Sequence, residues 1–323
     1  MDINKELITA SSQGQIVRIN ALLDVGADIH ALNDCALCRA ANHGHTKAVE
    51  LLLDRGADIH VNEDEGPDTP LQLASIYGYV HTVKLLLERG ADIHAEDAFG
   101  AAEGPLLFAA EFGHVCTVKV LLDHGADIHA ADYLGRDAAL RRAACAGHYR
   151  TVKLLLDRGA DIPADDDYVL RMAAESGGAE VVTMLLDRGN YRERNPELAL
   201  VVLATIGDLL EVKAMLSREI DDLAIDLAFR RAAGSGHAGI VALLLDHGAS
   251  LREDRDEAVQ AASLSGHADT VAVILERYQN PGLLEVRAQT KDAKLLKSIY
   301  LELTKRQMRT IREYYKNLPD VEV

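Results

Sequence analysis

Tryptophan is absent from the 323-residue chain, and aromatic residues make up only 4% of it. No apolar run approaches the roughly 18 residues that a membrane-spanning helix needs, so we expect no membrane span. The N-terminus lacks a basic segment followed by an apolar run, and we therefore expect no signal peptide. Hydrophobic residues still reach 48%, which is ample for a continuous core.

Cysteine is scarce. The four cysteines, Cys35, Cys38, Cys116 and Cys145, are unevenly spaced and do not resemble a disulfide framework. This usage favours a reducing compartment, the cytoplasm or the nucleus. Cys35 and Cys38 have the C-x-x-C spacing, but no second pair follows to complete a zinc ribbon. We interpret both as ordinary residues of a helix.

Basic residues are outnumbered, with 34 Lys and Arg against 51 Asp and Glu, which gives a formal net charge of −17. Such a surface repels phosphate backbones, so we expect no nucleic-acid partner. A protein with a basic or mixed surface fits better. Residues 283–318 reverse the sign, because nine basic and four acidic residues give this segment a charge of +5.

Motifs of catalysis are also missing. The sequence contains no G-x-x-x-x-G-K-[ST] phosphate loop and no G-x-S-x-G nucleophile elbow. We therefore expect no enzymatic activity and no cofactor.

Two short motifs recur with one shared period. Gly-Ala-Asp begins at Gly26, Gly56, Gly90, Gly125 and Gly159, with spacings of 30, 34, 35 and 34 residues. Gly-His runs in step with it, at Gly44, Gly113, Gly147, Gly236 and Gly266. Two markers in register indicate tandem repeats of one structural unit.

Each repeat has the pattern of two helices. The Gly-His marker is followed by segments such as residues 82–89, where apolar residues form a wide stripe that ends before a glycine. A shorter segment containing Ala-Ala, such as residues 107–112, precedes the marker. The pattern predicts a helix, a glycine turn, a second helix and a loop, with the Asp of Gly-Ala-Asp as a turn residue.

Residues 1–277 resemble ankyrin repeats. Thr69-Pro70-Leu71-Gln72-Leu73-Ala74 is similar to the family signature Thr-Pro-Leu-His-x-Ala, with Gln72 in place of the usual His. The 30-residue copies resemble, more narrowly, the ankyrin arrays of giant DNA viruses of amoebae. The resemblance implies an all-α solenoid of stacked helix-turn-helix pairs with short β-hairpin fingers, curved and elongated.

The repeats predict three regions along the chain. Residues 1–25 are an N-terminal capping repeat, residues 26–277 an array of about eight repeats, and residues 278–323 a degenerate capping repeat followed by a basic amphipathic helix. Spacings of 34 or 35 residues leave room for long fingers, which we expect at residues 60–69, 94–105 and 129–138.

Histidine is frequent, and nine of the thirteen histidines occupy fixed repeat positions in Gly-His or Asp-Ile-His. We interpret them as turn or capping residues and expect no metal site. The acidic run Asp165-Asp166-Asp167 lacks the alternating spacing of a calcium loop.

The family resemblance implies that finger tips and inner helices form a concave binding face. The two residues before each glycine turn point into that groove. Large apolar residues and acidic residues coincide in the region of the three long fingers, which is typical of a binding hot spot. Some of these side chains could instead pack between fingers. The expected partner-binding residues are Glu63, Asp64, Glu65, Ile76, Tyr77, Glu96, Asp97, Phe99, Glu111, Phe112, Tyr133 and Leu134.

These observations favour a monomeric protein-interaction scaffold in the cytoplasm or nucleus, of a host cell if the protein is viral. One alternative is an adaptor that recruits a target to a ubiquitin ligase or another effector through the helix within residues 283–318. We favour the simpler interpretation of that segment as a capping repeat followed by a helix. An enzyme is the less favoured alternative, because the repeats leave few residues for a catalytic domain.

Overall fold

The computed structural model describes residues 2–61, 69–94, 104–132, 135–162, 167–249 and 255–277. The chain divides into two compact units, residues 1–181 and residues 182–323, with the boundary inside one helix. In the described part of the chain the regular structure is helical, and the only β-pairing outside helices is an isolated bridge between Asp132 and Gly135. The expected all-α repeat fold is confirmed.

The first unit is a row of helix pairs. Each odd-numbered helix from α1 to α9 is an inner helix, and the even-numbered helix that follows is its outer partner. The bounds are α1 Ile3–Ser12, α2 Ile16–Asp24, α3 Ala31–Asn42, α4 Thr46–Asp54, α5 Pro70–Ile76, α6 Val80–Glu88, α7 Pro105–Glu111, α8 Val115–Asp123, α9 Ala138–Cys145, α10 Tyr149–Asp157, α11 Asp167–Glu175 and α12 Ala179–Arg188, which crosses into the second unit.

The second unit continues the same alternation after a short extra helix. Its remaining helices are α13 Tyr191–Arg194, α14 Pro196–Ile206, α15 Leu209–Met215, α16 Asp222–Ser235, α17 Ala238–Asp246, α18 Arg255–Leu264 and α19 Ala268–Arg277. The side chain of Tyr191 in α13 is buried, and the guanidinium of Arg194 lies 4.2 Å from the centre of its ring.

Glycine turns join the two helices of each pair, as the sequence predicts. Gly78 and Gly113 have φ values of +70° and +72°, in the left-handed region that favours glycine. The N–H of the next residue then bonds back to the inner helix, for example His114 N to Ala109 O at 2.8 Å. This closure ends the inner helix and starts the outer one.

The repeated Leu-Leu-Leu segments are buried less uniformly than their composition indicates. The middle leucine of each triplet, such as Leu52, Leu86 and Leu155, is fully buried. Its two neighbours are only partly buried. Successive residues of a helix point in different directions, so one leucine in each triplet faces the core and the flanking two lie at its border.

Rings of one repeat pack onto glycines of the repeat before it. A Cβ atom built on Gly78 would lie 2.5 Å from the ring of His114, and one on Gly113 would lie 2.6 Å from the ring of His148. The two histidines also donate from Nε2 to carbonyl oxygens of the preceding inner helix, His114 to Ile76 and His148 to Glu111, both at 2.8 Å. The second unit repeats this junction with His237, whose Nε2 donates to Thr205 O at 3.0 Å.

The sequence predicts a turn or capping role for these histidines. His114 and His148 stand at the N-cap positions of α8 and α10, but their side chains form no capping bond to these helices. Their polar contacts reach the preceding repeat instead. The Gly-His pair therefore joins consecutive repeats.

Exposed ion pairs join the ends of neighbouring outer helices in the first unit. Arg55 pairs with Asp24 at 2.9 Å, Arg89 with Asp54 at 2.7 Å, and Arg158 with Asp123 at 2.9 Å. Each pair is solvent-exposed and contributes about 0–1 kcal/mol. Burial of apolar surface between repeats is therefore the main source of stability.

The space above each of the glycines Gly78 and Gly113 is filled by a ring of the following repeat, and we call it a glycine socket. These sockets give the first prediction. Gly78→Ala should destabilise the protein by about 1–3 kcal/mol more than Gly147→Ala, because the new methyl group meets the His114 ring. Gly147 is a matched control, since its φ is +74° and Gly178 stands where the next ring would be, with its Cα 4.0 Å from the added Cβ. Both variants share the left-handed backbone cost of about 1–2 kcal/mol. Urea denaturation followed by circular dichroism measures the difference, and equal losses would contradict the socket.

Candidate partner-binding surface

Two large aromatic side chains lie exposed at the ends of consecutive inner helices. Tyr77 follows the last residue of α5, and Phe112 follows the last residue of α7. Their exposed fractions are 51% and 50%, so about half of each side chain faces solvent. Both directly precede the glycine of the turn, at the position where the sequence predicts groove-facing residues.

Each exposed ring stacks against the ring two residues further along. The ring centres of Tyr77 and Tyr79 are 6.0 Å apart, and those of Phe112 and His114 are 6.4 Å apart, with interplanar angles of 26° and 29°. His114 is itself held by the preceding repeat, so the ring beside it has a firm support. The exposed aromatics are therefore constrained before any partner arrives, which lowers the entropy lost on binding.

His43 extends this row by one repeat. It is exposed, precedes Gly44, and its ring lies parallel to that of His45 at 6.2 Å. Sequence reasoning did not include His43 among the expected binding residues. The sequence does predict that His43 points into the groove, because it stands in the same place before the turn as Tyr77.

Ile76 and Glu111 have structural contacts as well as exposed surface. Ile76 is half-buried, and its carbonyl oxygen accepts the bond from His114. Glu111 accepts from His148 through its carbonyl oxygen, and its carboxylate pairs with Arg142 at 2.7 Å. A partner that contacts Glu111 would therefore meet a carboxylate that is already neutralised.

A buried ion pair fixes the stem of the third finger. The guanidinium of Arg141 bonds to the carboxylate of Asp132, and the two side chains are only 4% and 3% exposed. Arg141 also donates to the carbonyl oxygens of Arg136 at 3.1 Å and Gly135 at 3.3 Å. The Asp132 carboxylate accepts a further bond from Arg142 at 3.5 Å.

Arg142 extends this network to α7, because it also pairs with Glu111. The stem of the third finger is consequently tied to the inner helix that carries Phe112. Arg141 occupies the repeat position of Gln72, which instead forms a capping box with Thr69, with bonds of 2.7 and 3.3 Å. One signature position thus closes a helix in one repeat and holds a finger in another.

Most of the expected acidic residues, and three of the expected large apolar residues, lie outside the described residues. This applies to Glu63, Asp64, Glu65, Glu96, Asp97, Phe99, Tyr133 and Leu134. Their part in a binding surface stays a prediction. Of the expected residues, the structure places Ile76 and Tyr77 in one repeat and Glu111 and Phe112 at the equivalent positions of the next.

Four of the five aspartates of Gly-Ala-Asp are turn residues, as predicted. Asp28, Asp58, Asp92 and Asp127 each accept a bond from the N–H of the histidine two residues later, at 2.9–3.0 Å. The C-x-x-C pair also has an ordinary role in part, since Cys38 is buried beside Val61 and Leu73.

A second aspartate joins consecutive repeats behind these turns. The carboxylate of Asp34 accepts from the N–H of Asp58 at 3.0 Å, and Asp137 accepts from that of Asp161 at 3.0 Å. Asn4 makes the same bond to Asp28 at 2.9 Å, so the first helix shares the register of the later repeats. The ring of His30 donates to Asp34 at 3.0 Å.

Comparison with known proteins agrees with this geometry. A family model described as Ankyrin repeats (3 copies) matches residues 7–97 and 100–166. These two segments are similar to ankyrin repeats. No curated protein matches the chain. Ankyrin repeats are generally protein-interaction modules, so the exposed aromatic row lies on a fold suited to that role. None of the helices in the described part of the chain is both long and apolar enough to cross a membrane.

The contact between His30 and Asp34, which are four residues apart, predicts a pH dependence. The hydrogen bond to Asp34, aided by the negative charge of that carboxylate, raises the pKa of His30 above its ordinary value. The contact therefore stabilises the fold at low pH, and its contribution is lost as pH rises through the raised pKa. His30→Gln should cost more stability at about pH 5.5 than at about pH 8.5. In an Asp34→Asn background that difference should disappear in thermal melts. A pH-independent cost in both backgrounds would contradict the assignment.

The buried pair gives a third prediction. Arg141→Gln should destabilise the protein by about 3–5 kcal/mol, because it leaves the Asp132 carboxylate buried without its main counter-charge. Arg158→Gln removes an exposed pair and should cost less than about 1 kcal/mol. Urea denaturation compares the two variants, and similar small losses would show that the finger stem does not depend on Arg141.

Proposed function

We propose that this chain is a protein-interaction scaffold whose partner docks on the inner-helix ends of the first unit and on the adjacent fingers. The observation that carries the proposal is the row of exposed, ring-supported side chains His43, Tyr77 and Phe112. Elsewhere in the same inner helices, large apolar residues such as Leu71 and Leu107 are buried. Half-exposed aromatics on a rigid support are typical anchors of binding hot spots.

Charge defines the expected partner. The chain carries a net charge of −17, and the finger segments 60–69 and 94–105 together contain seven acidic residues and no Lys or Arg. We propose a partner protein with a basic or mixed surface, whose approach these acids accelerate. No nucleic acid or membrane is required, and a monomer suffices for the interaction.

Source and location belong to the same proposal. The 30-residue copies support a likeness to the ankyrin arrays of giant DNA viruses of amoebae. In that case the scaffold would act in the cytoplasm or nucleus of a host cell. The few, unevenly spaced cysteines are compatible with either compartment.

The adaptor alternative rests on one sequence feature. Residues 283–318 carry +5 while the rest of the chain carries −22. A segment of opposite sign could recruit a second protein, such as a ubiquitin-ligase component. Residues 283–318 lie outside the described part of the chain, so the scaffold is the function that the described geometry supports best.

The aromatic row gives the fourth prediction. After affinity purification with cross-linking has supplied a partner, Tyr77→Ala combined with Phe112→Ala should weaken its binding by about 2 kcal/mol or more. The loss should appear mainly in the dissociation rate measured by surface plasmon resonance, because the anchors act in the bound state. Circular dichroism should show unchanged folding, since half of each ring already faces solvent.

Tyr149→Ala is the matched control. Tyr149 is also exposed, at 36%, but it begins the outer helix α10. Its replacement should leave affinity within about 0.5 kcal/mol of wild type. If Tyr149→Ala weakens binding and the double variant does not, the partner docks on the outer helices and the proposal is wrong.

A further inference from the structure

Three metal-ligating side chains converge beside the third finger. The Nδ1 atom of His129 lies 2.8 Å from a carboxylate oxygen of Asp137 and 4.0 Å from one of Asp161. One possible ligand atom from each residue lies within 4.8 Å of the other two. The Asp137 side chain is 5% exposed, that of His129 is 33% exposed, and that of Asp161 is 76% exposed. The cluster therefore has a buried floor and an open side.

An equivalent trio elsewhere in the chain shows what is special here. His30, Asp34 and Asp58 occupy the same repeat positions and make the same two hydrogen bonds to the buried aspartate. The Asp58 carboxylate, however, is engaged in its own turn, where it accepts from the N–H of His60 at 2.9 Å. No contact within 4.0 Å joins the described atoms of His30 to the carboxylate of Asp58.

The sequence explains why Asp161 differs. The residue two positions after it is Pro163, which has no N–H, whereas His60 stands at that place after Asp58. Asp161 therefore cannot form the turn that occupies Asp58, Asp92 and Asp127. Among the described residues, the nearest cation-forming group to its carboxylate is the His129 ring.

The donor set and its spacing fit a transition-metal ion. Ligands at 2.0–2.1 Å around a tetrahedral zinc ion are separated by about 3.3 Å. The observed separations of 2.8 and 4.0 Å lie on either side of that value. Imidazole with two carboxylates suits Zn²⁺ and its neighbours, whereas Mg²⁺ and Ca²⁺ prefer sites made of oxygen alone.

We propose that His129, Asp137 and Asp161 bind one divalent transition-metal ion of the Zn²⁺ class, with water completing its coordination. The ion replaces the proton that His129 Nδ1 shares with Asp137. Because Asp137 and Asp161 belong to consecutive repeats, binding links these repeats beside the third finger and stabilises the folded state. The site is separate from the aromatic row and does not rest on the proposed function.

The test is isothermal titration calorimetry, which measures the affinity of the full chain for zinc added as ZnCl₂. Wild type should bind one zinc ion. The variants His129→Gln and Asp161→Asn should bind zinc at least about tenfold more weakly. His30→Gln and Asp58→Asn are matched controls from the equivalent trio and should keep wild-type affinity. Thermal melts without metal should establish that all four variants are folded.

Two further measurements exclude other sites and test the role of Pro163. Cobalt(II) absorption should lack a thiolate charge-transfer band, which would reveal binding at the cysteines instead. Pro163→Ala restores an N–H that competes for Asp161, so it should weaken zinc binding. The proposal is overturned if wild type binds no zinc at about 0.1 mM, if His129→Gln leaves the titration unchanged, or if His30→Gln weakens it equally.

Discussion

The fold depends on the contact between a glycine and the ring of the following repeat. Glycine is required at this position for two reasons. Its backbone is left-handed, and the absence of a side chain leaves the space that the ring fills. The ring of His114 also satisfies the carbonyl group of Ile76, which the end of the inner helix would otherwise leave without a partner. This one contact therefore ends the inner helix, packs two repeats together and completes a hydrogen bond. The exposed ring of Phe112 stacks on the His114 ring of the same contact.

The exposure of the residues in the candidate binding surface follows from this arrangement. Residues just before the turn cannot be buried, because the turn ends the inner helix at the surface. An aromatic residue at that place is supported from below by the ring two residues later, as Tyr77 is by Tyr79. The repeat therefore presents a side chain without having to build a separate loop for it. Varying that one position changes the surface while the junction stays intact.

Sequence reasoning reached the helices, the turns and the exposure of Tyr77 and Phe112, because these depend on local pattern. It could not reach the contacts of His114, since the pattern does not say whether a histidine serves its own repeat or the preceding one. Arg141 is a similar case. Its partner Asp132 lies in a finger whose course is set by tertiary contacts, and nothing in the local sequence pairs them. The His129 cluster was missed because His129 and Asp161 were explained separately by their repeat positions, and no motif drew attention to Asp137.

Most of the described repeats carry both a glycine of this kind and a ring that packs on the glycine of the preceding repeat, as at Gly78 and Gly113. A tandem duplication of 30–35 residues therefore produces a new junction that already fits, without any compensating substitution. Gly178, which replaces the ring beside Gly147, shows that a single junction can lose its ring within this fold. The array can thus grow by copying and then diverge position by position, and the exposed residue before each turn is the position that can change at the lowest structural cost.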